Sequence, residues 1–249
     1  MNIKSSLDNY EEILKQVNVK SIKENIQETL GVKKENTEFL NETYVRQPKK
    51  FNLNLDTLSS KNLNHHFKLY EDYISKLNKV NIQIDALDKK NTENLSKFKD
   101  LKDYEQYLLN AVMLHELFFE NLTHTSNSVI HQDSKSYVQL SANWDDFDDW
   151  QRDALFCIQS SKSSGWFVCG YSFSNQRYMN LVIDDHNINH LLMFYPVLVI
   201  DCFEHSYYLD YGTEKKNYAH NMLLSVKWDA VEKRMEKIEQ IKESWARFF

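Results

Sequence analysis

The sequence predicts an α+β fold, with an N-terminal helical hairpin followed by a C-terminal α/β domain whose small, about three-stranded antiparallel sheet is flanked by helices. Three observations lead there. Apolar residues recur at spacings of three and four in segments up to about residue 158, the signature of amphipathic helices. Three short aromatic or β-branched runs, at residues 167–171, 178–183 and 197–200, are separated by polar turns and read as strands. Helical spacing then returns from residue 216 onward, with Trp228, Val231 and Met235 on one side. The order, helices and then a sheet between helices, is that of an α+β chain.

Each element has a local reason. Residues 1–44 read as polar helical segments, with Leu7, Tyr10, Leu14 and Val17 at helical steps, and residues 1–47 are expected to form an N-terminal helical extension. Pro48 breaks the chain there. Ser59 and Ser60 offer an N-cap pair for a helix to about residue 77. A polar stretch to Asp100 separates it from a second helix over 104–121, and the two make the hairpin domain, residues 48–136. A polar connector, 124–136, leads into the C-terminal domain, 137–249, whose first helix is opened by Phe147-Asp148-Asp149-Trp150.

Composition removes several functional classes. The chain has 249 residues, 42% of them hydrophobic, and a net charge of −6, so a sizeable core is available and global attraction for nucleic acid is not. No specific nucleic-acid site is expected, and a small anion would need a local basic rim. Only four glycines and two prolines occur, which excludes a glycine-rich phosphate loop and favours helices. No apolar run approaches the roughly 20 residues of a membrane span. Neither a secretory signal nor an Arg-rich presequence is visible. Cys157, Cys169 and Cys202 are odd in number and lack CxxC spacing, as expected of reduced intracellular thiols.

The chemistry gathers around a few side chains. Asp201 and His205 stand four residues apart at the end of an apolar strand-like run, and a buried carboxylate needs a cation or several donors to offset desolvation. His115 lies on the apolar face of the second helix. His65, Leu69 and Tyr73 fall at steps of four on the first helix and share a face. His66 is adjacent, and spacing alone does not exclude it. Three imidazoles and one carboxylate suit iron or manganese.

These motifs resemble the iron/manganese superoxide dismutase family, from about Pro48 to about Lys237. Asp201-Cys202-Phe203-Glu204-His205-Ser206-Tyr207-Tyr208 is similar to the family's most specific signature. His115-Glu116-Leu117-Phe118-Phe119 is similar to its second-helix motif, and Gly165-Trp166 to its Gly-Trp before the sheet. The family's first histidine precedes a tyrosine by eight residues, a spacing that selects His65, with Tyr73, over His66.

The resemblance implies a mononuclear site of His65, His115, Asp201 and His205 holding one iron per chain, or manganese, and converting superoxide to dioxygen and hydrogen peroxide. It makes Tyr73 the gateway residue and His186 the donor to metal-bound solvent. Lys68, Trp166 and Lys215 would line the substrate funnel. Glu204 would bond the partner's His205 across a dimer interface that includes Tyr208, in a homodimer or a heterodimer with a paralogue. Residence inside the cell follows, with the mitochondrial matrix favoured over the cytosol. Leu69, Phe119, Val168 and Phe203 depart from the family, the first replacing a histidine and the others tryptophans. Those departures raise an alternative: a structural subunit of a larger mitochondrial assembly, such as the mitochondrial ribosome, reached through residues 1–47 and with weak or no activity.

Overall fold

The computed structural model describes residues 45–162 and 164–245. The expected helices of residues 1–44 lie outside them. The described residues divide into two compact units, one containing residues 45–48 and 70–112 and the other residues 49–69 and 113–245 apart from residue 163. Two long helices, α1 (Ser60–Ala86) and α2 (Leu95–Glu120), each run through both. Among the described residues no helix is long and apolar enough to cross a membrane.

The first unit is built on two apolar stripes. Tyr70, Ile74, Leu77 and Ile84 are buried on α1, and Leu101, Tyr104, Leu108 and Ala111 on α2, at the three- and four-residue steps of a core-facing stripe. Both helices extend beyond the expected 60–77 and 104–121. The first added turns of α2 are mostly polar and exposed, with pairs such as Lys99–Asp103 supporting them, whereas the added turns of α1 bury Val80, Ile82 and Ile84 among polar residues. The connector ends in a short 3-10 turn, Thr92–Asn94, where the Asn91 side chain accepts from the Glu93 amide.

The second unit carries the sheet. Strands β1 (Gly165–Ser172), β2 (Arg177–Asp184) and β3 (Phe194–Asp201) are antiparallel in the order β2-β1-β3. Central β1 is buried along its whole length. Trp166 pairs with Ile183 on one side and with Asp201 on the other, a register that sets Asp201 beside Trp166. A Cβ at Gly165 would lie 2.6 Å from the Ile183 carbonyl oxygen, so only glycine allows this close approach at the strand start.

Among the described residues, five helices besides the ends of α1 and α2 accompany the sheet. Helix α3 (Lys135–Asn143) begins inside the stretch expected to be connector, because Ser134 caps it by accepting from the Tyr137 amide. Asp146 caps α4 (Phe147–Ser160) in the same way. Helix α5 (Glu204–Tyr211) follows β3, and the helical tail expected from residue 216 is divided into α6 (Lys215–Leu223) and α7 (Trp228–Trp245). Tyr137, Phe147, Trp150 and Trp228 form one aromatic cluster that joins α3, α4 and α7, with ring centroids 4.8–5.7 Å apart.

Candidate metal centre

Three imidazoles converge on one carboxylate oxygen. Asp201 Oδ2 lies 3.0 Å from His66 Nε2, 3.2 Å from His205 Nε2 and 3.7 Å from His115 Nε2. One ligand atom from each of the four residues falls within 4.8 Å of the others. Metal bonds of about 2.0–2.2 Å set two ligand atoms on one ion up to about twice that distance apart, so the group is of the right size. All four residues belong to the second unit.

Each ligand is placed by its element. His66 projects from the first turns of α1 and is packed edge-on against His115, with ring centroids 5.0 Å apart. His115 is fully buried on α2, and the Trp166 ring lies 4.9 Å from it. Asp201 ends β3, where its Oδ1 accepts from the Phe203 amide at 2.8 Å and so turns Oδ2 toward the imidazoles. Tyr218 Oη and Ser206 Oγ both donate to the Asp201 carbonyl oxygen, at 2.5 and 3.1 Å. His205 follows in the first turn of α5, four residues on.

The expectation that His65 is the first ligand is corrected. His65 is exposed, whereas His66 is buried with its ring against Asp201. One residue is a rotation of 100° on a helix, so only one of two adjacent histidines can face the core. The eight-residue count to Tyr73 pointed to the wrong one. Tyr73 is half-buried and follows His66 by seven residues, close to two full turns.

Electrostatics favour the ligating protonation states. Burial pushes the His115 and His66 imidazoles down, His115 well below the usual value, which keeps them neutral. Burial alone would raise the Asp201 carboxyl, but the imidazoles of His205 and His66 outweigh it and hold the group well below the usual carboxylate range. The result is one anionic oxygen beside the two neutral imidazoles of His66 and His115, with the His205 ring as a third nitrogen donor, a set that a di- or trivalent ion of intermediate hardness takes. The residues present therefore fit an iron or manganese ion.

A wall of aromatic side chains encloses the cluster. Phe119 lies 4.9 Å from the His66 ring. Phe203 stacks on His186 at 4.8 Å and on His205 at 5.0 Å. Val168 faces the same side of β1 as Trp166 and is buried. His186 is fully buried, and its Nδ1 accepts from Trp166 Nε1 at 3.0 Å. An indole nitrogen only donates, so the neutral imidazole carries its proton on Nε2.

The other expected residues occupy varied settings. Lys68 is exposed on α1, and Glu204 and Tyr208 are exposed on α5. Lys215 is fastened rather than free, its Nζ donating to the Ser161 carbonyl at 2.6 Å and to Ser161 Oγ at 2.7 Å. Sequence reasoning missed Asn121 entirely. Its buried side chain bonds both the amide and the carbonyl of Val199, and Arg234 donates to it at 3.3 Å.

Residues 132–234 match the C-terminal domain of iron/manganese superoxide dismutases. The chain is 29% identical over 150 residues to the iron superoxide dismutase of Aquifex pyrophilus, a match covering 58% of this chain and 66% of that protein. It is 27% identical over 150 residues to that of Aquifex aeolicus, with 58% and 66% covered. With the manganese superoxide dismutase 1 of Halobacterium salinarum it shares 26% identity over 125 residues, 50% of this chain and 60% of that protein. The chain thus spans less than two thirds of the length of these relatives. The similarity to the iron/manganese superoxide dismutase family is carried by residues 132–234. His66 and His115 lie outside the matched domain, yet their rings meet Asp201 and His205 from it.

Proposed function

We propose that this chain is a superoxide dismutase, converting two superoxide anions and two protons to dioxygen and hydrogen peroxide at a mononuclear iron or manganese site of His66, His115, Asp201 and His205. The observation that carries the reading is the convergence of three Nε2 atoms on Asp201 Oδ2. Those four residues would hold the ion, which would supply one-electron redox chemistry between two superoxide anions.

The chain's own residues provide the rest. Asp201 supplies the one anionic donor, and its second oxygen is held by the Phe203 amide, so the carboxylate cannot swing away. His186, with its proton fixed on Nε2 by Trp166, is a neutral hydrogen-bond donor beside His115, the rings 5.9 Å apart. That donor orients solvent at the site through a hydrogen bond from Nε2. Phe119, Trp166 and Phe203 exclude bulk water, which strengthens each of these interactions. The gateway role of Tyr73 and the steering role of Lys68 rest on the resemblance to the family. Glu204, exposed at the start of α5, is the residue that would reach the partner's His205 in a dimer, and His205 is the one ligand with an exposed fraction, 30% of its side chain.

The test is superoxide dismutation after iron or manganese loading, with metal content measured on His66→Ala and His65→Ala. His66→Ala should lose both metal and activity, and His65→Ala should keep both. A loaded wild-type chain without activity, or loss of metal from His65→Ala alone, would overturn the reading.

A further inference from the structure

Asn62 stands one helical turn before His66 on α1 and is 1% exposed. Its Nδ2 donates to the Ser206 carbonyl at 3.0 Å. That bond fixes the amide, because a carbonyl oxygen requires the NH2 end, and Oδ1 must therefore point the other way. Neither Asn62 Oδ1 nor His66 Nδ1 has a hydrogen-bond partner among the described residues. Residues four apart on a helix lie on one face, one above the other.

The two orphaned atoms become complementary when an ion is bound. His66 Nε2 is the atom turned toward Asp201, so ligation uses Nε2 and leaves the imidazole proton on Nδ1. The site then holds a buried donor without an acceptor and, a turn away, a buried acceptor without a donor. Such groups are rarely left unmatched in folded proteins. We infer that Asn62 is a positioning residue of the metal centre, its Oδ1 accepting the Nδ1–H of ligated His66 directly or through one buried water.

The same side chain reaches the other ligands from its Nδ2 end. Ser206 is the neighbour of His205, and its one hydroxyl proton is shared between the Phe203 carbonyl, at 2.6 Å, and the Asp201 carbonyl, at 3.1 Å. One amide thus joins the helix that bears His66 to the turn that bears Asp201 and His205. Acceptors on the far nitrogen of a ligating histidine set its tautomer, its ring orientation and its basicity. The inference rests on the metal-centre reading and adds to it a residue that touches no ion.

The experiment compares wild type, Asn62→Leu and Asn62→Asp for Mn2+ affinity, by competition with a chelator. It also records the Nδ1–H signal of His66 in the zinc-loaded protein by 1H–15N NMR. Asn62→Leu removes the acceptor and should weaken Mn2+ binding about 10- to 100-fold, with the Nδ1–H signal lost to solvent exchange. Asn62→Asp keeps an acceptor but loses the donor to Ser206, and should retain most of the affinity and the protected signal. Wild-type affinity and a protected Nδ1–H in Asn62→Leu would overturn the inference. So would a freely exchanging Nδ1–H in zinc-loaded wild type, which decides the matter even if the leucine variant does not fold. A wild-type chain that binds no metal would instead overturn the metal-centre reading itself, and this inference with it.

Discussion

Asn121 and Val199 hold each other by two buried hydrogen bonds, the side-chain amide donating to the Val199 carbonyl at 3.1 Å and accepting from its amide at 3.0 Å. Strand β3 is at the edge of the sheet, so the side chain of Asn121 supplies the ladder partner that a neighbouring strand would otherwise give. Asn121 follows His115 on the same stretch of chain, and Val199 is two residues before Asp201. The pair therefore sets the distance between a helix-borne ligand and a strand-borne one. Asn121→Leu should destabilise the protein by about 3 kcal/mol, the cost of orphaning one or two buried backbone groups. Urea unfolding measures it, and metal content should fall alongside.

Trp166→Phe should disturb His186 more than it disturbs the fold. The substitution keeps an aromatic ring on β1 but removes the donor that holds His186 Nδ1. With no donor there, the imidazole proton is free to occupy either nitrogen. The 15N shifts of His186 should change from those of the Nε2–H tautomer to a mixture, and dismutation should fall while the metal stays bound. Unchanged shifts would show that the indole does not set the tautomer.

Stability of the metal-free protein should decline on acidification from about neutral pH. Burial pushes His186 from 6.5 down to about 3. A base whose folded value is depressed stays neutral in the native state while the unfolded chain takes up a proton. Its contribution is therefore complete above 6.5 and is lost as pH falls toward 3, at about 1.4 kcal/mol per pH unit per group. His66 and His115 shift in the same direction. Thermal unfolding across pH should show a shallower acid slope for His186→Gln than for wild type.

The cysteines should resist alkylation until the chain unfolds. Burial raises the thiols of Cys157 and Cys202 to about 11 and that of Cys169 to about 12, so the reactive thiolate is scarce at neutral pH. Iodoacetamide labelling followed by mass analysis should find little modification of the native protein and three modified sites in denaturant.

Much of the site was legible in the sequence, because its signals are local. Asp201 and His205 sit on one short run, and His115 sits on a helix face whose apolar period is plain. The choice between His65 and His66 was not local in the same sense. It depends on the rotational phase of α1, which is set by packing against Phe118 and Phe119 rather than by a count to the next tyrosine. Asn62 and Asn121 were invisible for a related reason. A buried asparagine reads as a turn or surface residue until its partners, Ser206 and Val199, are brought up to it by the fold. The strands were found but came out short: β2 ends in the polar Arg177 and Asp184, and β3 begins three residues earlier than expected, at Phe194, because Pro196 interrupts its apolar run.

His66 and Asp201 meet although 135 positions separate them along the chain. During synthesis the first histidine is made long before the carboxylate it will face, and no partial chain ending before β3 can hold an ion between them. Capture of an ion by the whole donor set therefore waits until β3 and the first turn of α5 have been made and brought to His66 and His115. The ion that occupies the site is selected at that moment, from whatever the surroundings offer to a cage already built.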